Sequence, residues 1–517
     1  MAFLSSLMTP YHPPDIRTVL SGLQTPVGLL GLGEEGRATL KFLWGHGVRD
    51  LRVFDLNGPG WGGDEPWREI PFFTGGDYLN RLPECRTVVR SPGIRPDLPR
   101  LLEAVSTGAR LTSATELFLT LCPAPVAGVT GTVGKGTAAS LMEAGLKSLG
   151  ARVWLGGNIG VNPLGFLDAA APGDSVAPGD SVAPGDVVVL ELSSFQLMGL
   201  TGRRPEVAVV LRTTEEHLNW HPDVAEYRRA KGGLLAGGTG GQRVVYCADS
   251  PGSLEVAGEQ ARKGLAYSIS GPVENGIGVD PGGHLARYTP AIPPVVLSGL
   301  ERVALPGRFN LENIAAAYLG VESLAALTLE PAGKPGGGAG FTQAARETLE
   351  RALAAFEGLP HRLERVAAVS SGGGAEVVFF NDSYATRPEA AQGAVESFAG
   401  PLAVIVGGSE KNADFGPLTE ALCRHPGLVR VVAMGQTSRR MVDQLEQTAL
   451  RLKRAAPPCR LASGLEEAFG LALEALPGGG VLLFSPACAS FDMFPNYKVR
   501  GERFRDLVRR HASALQG

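Results

Sequence analysis

Short apolar runs closed by Gly, Pro or Asp recur along the chain, with stretches of helical pattern among them. Val27-Gly28-Leu29-Leu30, Leu51-Arg52-Val53-Phe54, Val187-Val188-Val189-Leu190, Val207-Ala208-Val209-Val210 and Ala403-Val404-Ile405-Val406 each read as a buried strand. Ala138 to Leu149 and Asn310 to Leu327 read as helices. The alternation predicts an α/β chain with mostly parallel sheets. With 517 residues the chain exceeds one ordinary domain. At about 150 residues per domain, three are expected.

Bulk properties exclude several classes. Hydrophobic residues make up 44% and charged residues 19%, which fits large buried cores and not a disordered chain. Net charge is −4, from 48 basic and 52 acidic residues, so no general polyanion-binding surface and no nucleic-acid partner is expected. No apolar run reaches the length of about 18 residues that a membrane span needs, and no membrane partner is expected. Met1 to Asp15 lacks the basic and apolar regions of a signal peptide. Cys85, Cys122, Cys247, Cys423, Cys459 and Cys488 are far apart and form no CxxC pair. Neither a disulfide framework nor a zinc knuckle follows, and a reducing cytoplasm is the simplest compartment. Separately, a monomer is expected.

Glycine, at 70 residues, is about twice its usual share. Part of it reads as slack. Residues 171–186 repeat a six-residue APGDSV unit twice and close on APGD. Pro331 to Gly340 cannot hold regular structure, and Gly232 to Gly241 reads as loose. A helical stretch follows from Thr342 to Phe356. Turns at Cys122 to Pro125 and Phe356 to Pro360 place domain boundaries near 122 and 356, giving segments 1–122, 123–356 and 357–517.

Other glycines sit where chemistry needs them. Gly31-Leu32-Gly33-Glu34-Glu35-Gly36 follows the strand Val27 to Leu30, and Asp55 lies 19 residues beyond Gly36. That is the dinucleotide-fold fingerprint, with an acidic residue placed to take ribose hydroxyls. Alone it fits NAD or FAD, another nucleotide such as a UDP-sugar, or a structural turn. Gly128-Val129-Thr130-Gly131-Thr132-Val133-Gly134-Lys135-Gly136-Thr137 follows the apolar Pro125 to Ala127 and opens a helix. Its amides and helix N-terminus suit phosphate, and Lys135 can reach the β/γ-phosphates. The usual Mg²⁺-holding hydroxyl after the lysine is replaced by Gly136, and Thr137 comes one place later. Glu191 closes the strand Val187 to Leu190, where ligands gather in parallel sheets, and is a hard oxygen donor for Mg²⁺. Thr214-Glu215-Glu216-His217 follows the next strand, with Tyr227-Arg228-Arg229-Ala230-Lys231 after it. In the last third, Gly358 to Arg362, Asn381 to Thr386, Gly407 to Lys411 and Ser485 to Ser490 place polar loops at strand ends, as a rim of binding groups would.

From Gly31 to Gly501 these motifs resemble the Mur ligases, most specifically in Gly156-Gly157-Asn158-Ile159-Gly160, Glu191 to Gln196, Gly358 to Arg362 and Ser485 to Ser490. The resemblance implies a UDP-binding Rossmann-like domain, a central ATPase domain and a C-terminal Rossmann-like domain. It implies that ATP phosphorylates a terminal carboxylate and that an amino acid's amine displaces the phosphate. Within the family the match is best to the ligases that add D-glutamate to UDP-N-acetylmuramoyl-L-alanine. L-glutamate, a folylpolyglutamate synthase-like substrate and a catalytically weak nucleotide-binding homologue are alternatives. An NAD-dependent dehydrogenase would leave the P-loop, Glu191 and Lys231 unexplained.

Carried over position by position, the resemblance gives Gly131, Thr132, Gly134, Lys135, Gly136, Thr137, Asn310, Asn313, Arg362 and Asp382 to ATP. It gives Mg²⁺ (or Mn²⁺) to Glu191, His217, Thr137 and Lys231, the last as a carbamate. Gly33, Glu34, Glu35, Asp55, Ser91, Asn158, Ser193 and Gln196 fall to the UDP-substrate. Thr386, Lys411, Ser490, Phe491 and Tyr497 fall to glutamate. Four positions depart from the family pattern: Val133 for Asn, Gly136 for the hydroxyl residue, Phe309 for His, and Tyr384 for Lys.

Overall fold

The computed structural model describes residues 13–58, 65–158, 161–168, 180–218, 220–235, 241–300, 303, 305–328, 341–370, 375–410 and 413–516. Pro331 to Gly340, most of the APGDSV repeat, Ile159, Gly160 and Lys411 lie outside them. The chain forms two compact units, Met1–Glu301 with Glu312–Ala354, and Arg302–Leu311 with Ala355–Gly517. It is an α/β chain built on three sheets.

The first unit holds two of them. One has five parallel strands in the order Phe72–Phe73, Leu51–Phe54, Val27–Leu30, Thr87–Arg90, Arg110–Thr112. The second has nine strands. Its parallel part runs Leu265–Tyr267, Arg243–Cys247, Val207–Val210, Val126–Thr130, Val187–Glu191, Val153–Gly157. Gly276–Val279 adds one more parallel strand at the far side, and Leu285–Thr289 and Ile292–Val296 extend it antiparallel. The central strands are buried along their whole length, as their unbroken apolar runs require. The second unit carries six strands in the order Glu364–Ser370, Glu376–Asn381, Gly480–Phe484, Leu402–Val406, Leu428–Met434, Cys459–Ala462, parallel except for the first pair.

Three details differ from the sequence reading. The strand before the P-loop runs through Gly128 to Thr130 and does not stop at Ala127. A Cβ at Gly128 would stand 2.6 Å from Leu234, so this glycine is a packing position inside a strand. Gly232 and Gly233 are not slack. Gly232 ends the helix Val224–Gly232, and a Cβ at Gly233 would lie 2.4 Å from the Leu197 carbonyl oxygen. The final repeat unit is also built in: Asp186 accepts bonds from Trp154 Nε1 at 2.8 Å and Ala183 N at 2.9 Å, and Val182 is buried.

Candidate active site

The P-loop connects the strand Val126–Thr130 to the helix Lys135–Ser148. Gly131 has φ 149° and Gly134 has φ 88°, conformations that favour glycine. A Cβ at Gly134 would stand 2.1 Å from Asn313 Oδ1, so the loop folds directly against Asn313. Gly136 and Thr137 occupy the helix's buried first turn, and Val133 is exposed on the loop. The Lys135 ammonium donates to the carbonyls of Gly131 at 3.0 Å and Thr132 at 2.9 Å.

Lys231 comes to the same loop from the helix Val224–Gly232. Its Nζ donates to the Gly131 carbonyl at 2.8 Å and sits 4.5 Å from the Tyr227 ring centroid. It is buried, and burial holds its amine well below the ordinary lysine range. Lys135 pushes the same way, while Glu216 and Glu191 oppose. Two lysines and two carboxylates thus share one electrostatic neighbourhood beside the phosphate loop.

The carboxylates are held in place. Glu191 is buried at its strand's end, and Asn158 Nδ2 donates to its Oε1 at 3.0 Å. Glu216 accepts from the Tyr227 hydroxyl at 3.4 Å and lies 3.6 Å from His217 Nε2. The same Tyr227 hydroxyl meets Thr132 Oγ1 at 2.9 Å, tying this group to the P-loop. His217 has φ 59°, a left-handed non-glycine backbone of the kind that gathers at functional sites. Ser193 and Gln196 form a capping box on the short helix Ser194–Leu197, so both do structural work there.

That helix also meets the first sheet. Gln196 Nε2 donates to Glu35 Oε2 at 3.3 Å, and Arg90 donates to the carbonyls of Phe195 and Met198 at 3.3 and 2.8 Å. Desolvation pushes the Glu35 carboxyl up to about 7, against its bond from Gln196 and the charge of Arg90. Glu35 is grouped with Gly31, Gly36, Arg90 and Ser91 around the glycine turn. Ser91 Oγ donates to the Gly31 carbonyl at 2.9 Å, and Leu32 N donates to Asp55 at 2.6 Å. Asp55, expected at ribose hydroxyls, here braces the glycine turn. Gly33 and Glu34 are exposed at the start of the helix Glu34–Gly45.

In the second unit, Asp382 is buried at the end of Glu376–Asn381, accepting from Leu363 N at 3.1 Å and Ser485 Oγ at 2.6 Å. Burial pushes its carboxyl up to about 7. Asn310 donates to the Pro306 carbonyl at 2.7 Å, and Phe309 packs on this unit's core. The loops after Val406 and Phe484 are stitched together: Ser409 N donates to Ala489 O at 2.9 Å, and Asp492 N donates to Ser409 Oγ at 2.9 Å. Ser490 is buried, Phe491 is exposed, and Thr386 N donates to the Tyr384 carbonyl at 2.8 Å.

Three residues here escaped the sequence reading. Tyr227 and Glu216 lie inside quoted motifs, but only the fold shows their link to Thr132. Arg500 is fully buried and donates to Ser383 Oγ at 3.0 Å, Ser383 O at 2.9 Å and Cys488 O at 3.0 Å, joining the Asp382 loop to the Ser490 loop. Nothing in an isolated arginine on a polar helix signals that position.

Among the described residues no three His, Cys, Asp or Glu side chains converge as a metal cage. Mg²⁺ bound with a nucleotide keeps waters and phosphate oxygens and needs one or two protein oxygens, so Glu191 with Thr137 and a carbamate oxygen on Lys231 fits that donor chemistry.

Family models match in two places: the Mur ligase middle domain over residues 129–321, and the Mur ligase glutamate ligase domain over 361–488. The UDP-N-acetylmuramoylalanine–D-glutamate ligase of Clostridium kluyveri is 30% identical over 93% of this chain and 96% of its own length. That of Symbiobacterium thermophilum is 32% identical over 94% and 98%. Among solved structures, the UDP-N-acetylmuramate-alanine ligase of Thermotoga maritima aligns with TM-score 0.51 at 16% identity, covering 94% of this chain and 99% of that one. A pseudomurein peptide ligase type C from Methanothermus fervidus gives 0.50 at 15% identity, with the same coverage. Those two show the fold; among the described residues no helix is long and apolar enough to cross a membrane. With curated relatives above matched nearly end to end, the chain belongs to the Mur ligase family, alongside its UDP-N-acetylmuramoylalanine–D-glutamate ligases.

Proposed function

We propose that this chain is a cytoplasmic ATP-dependent ligase that adds D-glutamate to UDP-N-acetylmuramoyl-L-alanine in peptidoglycan precursor synthesis. The observation that carries it is end-to-end likeness to ligases of that name, on a chain that sets two lysines and two carboxylates beside a phosphate loop. The substrate's terminal carboxylate attacks the γ-phosphorus, giving an acyl phosphate and ADP. The glutamate amine then adds to the acyl carbon, loses a proton, and phosphate leaves. Such chemistry asks for neutralised phosphoryl charge more than for covalent help.

Residue roles follow. The loop amides of Gly131 to Gly134 cradle phosphate, and Lys135 moves from its loop carbonyls onto it. Asn310, Asn313, Arg362 and Asp382 serve the nucleotide. Bound Mg²⁺ supplies charge neutralisation, held by Glu191, Thr137, His217 and Lys231. The depressed amine of Lys231 supports a carbamate there, because a neutral amine is the form that adds CO₂. Gly33, Glu34, Glu35, Asp55, Ser91, Asn158, Ser193 and Gln196 take the UDP-substrate, and Thr386, Lys411, Ser490, Phe491 and Tyr497 take glutamate. The labour divides as UDP part in 1–122, ATP in 123–356 and glutamate in 357–517. Purified protein with UDP-N-acetylmuramoyl-L-alanine, Mg²⁺, ATP and each glutamate enantiomer should release ADP with the D form alone. No ADP with either enantiomer would sink the assignment, and turnover with the L form would correct it.

A further inference from the structure

We propose that Tyr384 is a positioning residue for the nucleotide: its ring holds the Arg362 guanidinium by one face, so that the N–H edge is left for the ATP phosphates. The inference rests on the ligase reading above. Arg362 Cζ lies 4.3 Å from the Tyr384 ring centroid. Among the described residues the guanidinium makes no hydrogen bond or ion pair. That combination matters. A carboxylate partner would consume donors, whereas a ring takes only the face and leaves the in-plane fork free for bidentate contact with phosphate.

The platform is itself fixed. The Tyr384 ring meets Tyr497 edge-on, at 5.1 Å and 90°. Tyr497 meets His361 edge-on in turn, at 6.2 Å. Tyr384 N donates to the His361 carbonyl at 2.9 Å, which joins the two loops on which Arg362 and Asp382 stand. Asp382 feels the charge of Arg362 but forms no ion pair with it among the described residues; its oxygens accept from Leu363 N and Ser485 Oγ. Tyr384 stands where the family pattern has a lysine. A lysine would place a second positive charge beside Arg362; this chain instead anchors a single cation on an aromatic face.

The test is a double-mutant cycle read by ATP affinity, with Mg²⁺ present, on the full chain. Tyr384→Phe keeps the ring and should bind ATP within about twofold of the unaltered protein. Tyr384→Leu should weaken ATP about fivefold, the equivalent of about 1 kcal/mol for a partly exposed cation–π contact. In an Arg362→Ala background the same leucine should change ATP affinity less than about twofold. Titration with UDP-N-acetylmuramoyl-L-alanine should be unmoved in every variant, which separates the effect from misfolding. An equal loss in both backgrounds, or no loss in the first, would overturn the proposal. Absence of ATP binding by the unaltered protein would overturn it together with the ligase reading; turnover with unaltered ATP affinity in Tyr384→Leu would overturn it alone.

Discussion

Lys231→Met separates what the buried lysine does for the fold from what it does for the reaction. The methionine fills the same channel with an unbranched, adaptable chain. The substitution removes one hydrogen bond, from Nζ to the Gly131 carbonyl, and the contact over Tyr227. Losing the bond costs about 0.5–1.5 kcal/mol, since Lys135 still donates to that carbonyl. Against this stands relief from desolvating an amine. The two are of similar size, so stability should move by less than about 2 kcal/mol, or roughly 5 °C in melting temperature. Lys231→Ala adds a cavity and should cost about 2–5 kcal/mol. The sign with pH follows from the direction of the shift. A lysine depressed in the fold contributes stability at high pH and loses it as pH falls through the depressed value, so the unaltered protein should weaken relative to Lys231→Met on acidification. Turnover should behave differently, falling at least about a hundredfold in both variants, because an electrostatic group at the phosphoryl site is gone. ADP release and thermal unfolding read the two quantities. Short carboxylic acids should restore part of the Lys231→Ala rate by supplying the carboxylate a carbamate would provide. A Lys231→Met enzyme within about tenfold of normal turnover, or one as unstable as the alanine variant, would refute the reasoning.

Lys135→Ala should abolish ADP formation while UDP-substrate affinity, by titration, stays within about twofold; loss of both would indicate misfolding. Two alanines on one helix should act oppositely. At Gly36 a Cβ would stand 2.1 Å from the Gly31 carbonyl oxygen, and the variant should lose more than about 2 kcal/mol in denaturant unfolding. At Gly45 nothing lies within 4 Å, and the alanine should gain about 0.5 kcal/mol. Asp382→Asn should raise the melting temperature near neutral and alkaline pH. Its carboxyl is pushed up to about 7, so its contribution is full at acid pH and lost as pH rises through that value. A gain that grew on acidification would contradict this.

What the sequence made legible follows from which physical signals are local. Apolar runs of strand length found Val27–Leu30, Val187–Glu191 and Val207–Val210, because burial on both faces writes itself into consecutive residues. Phosphate loops are local too, since their glycines answer to backbone angles a few residues wide, as at Gly131 and Gly134. Glycine as a separator of elements misled for the same reason. Gly128 and Gly233 are required by Leu234 and by the Leu197 carbonyl, neighbours that only the folded chain supplies. Side-chain partnerships across sequence were the least legible part. Spacing makes Asp55 a candidate ligand group, but it does not show that its carboxylate also accepts from Leu32 N and Asn57 N. In the sequence Tyr384 is only a departure from a lysine. Its meaning rests on an arginine 22 residues upstream and a tyrosine 113 residues downstream, brought together by the sheet that ends at Asn381. A substitution that removes a charge from a site need not weaken it when the fold turns the new side chain into a support for the charge that remains.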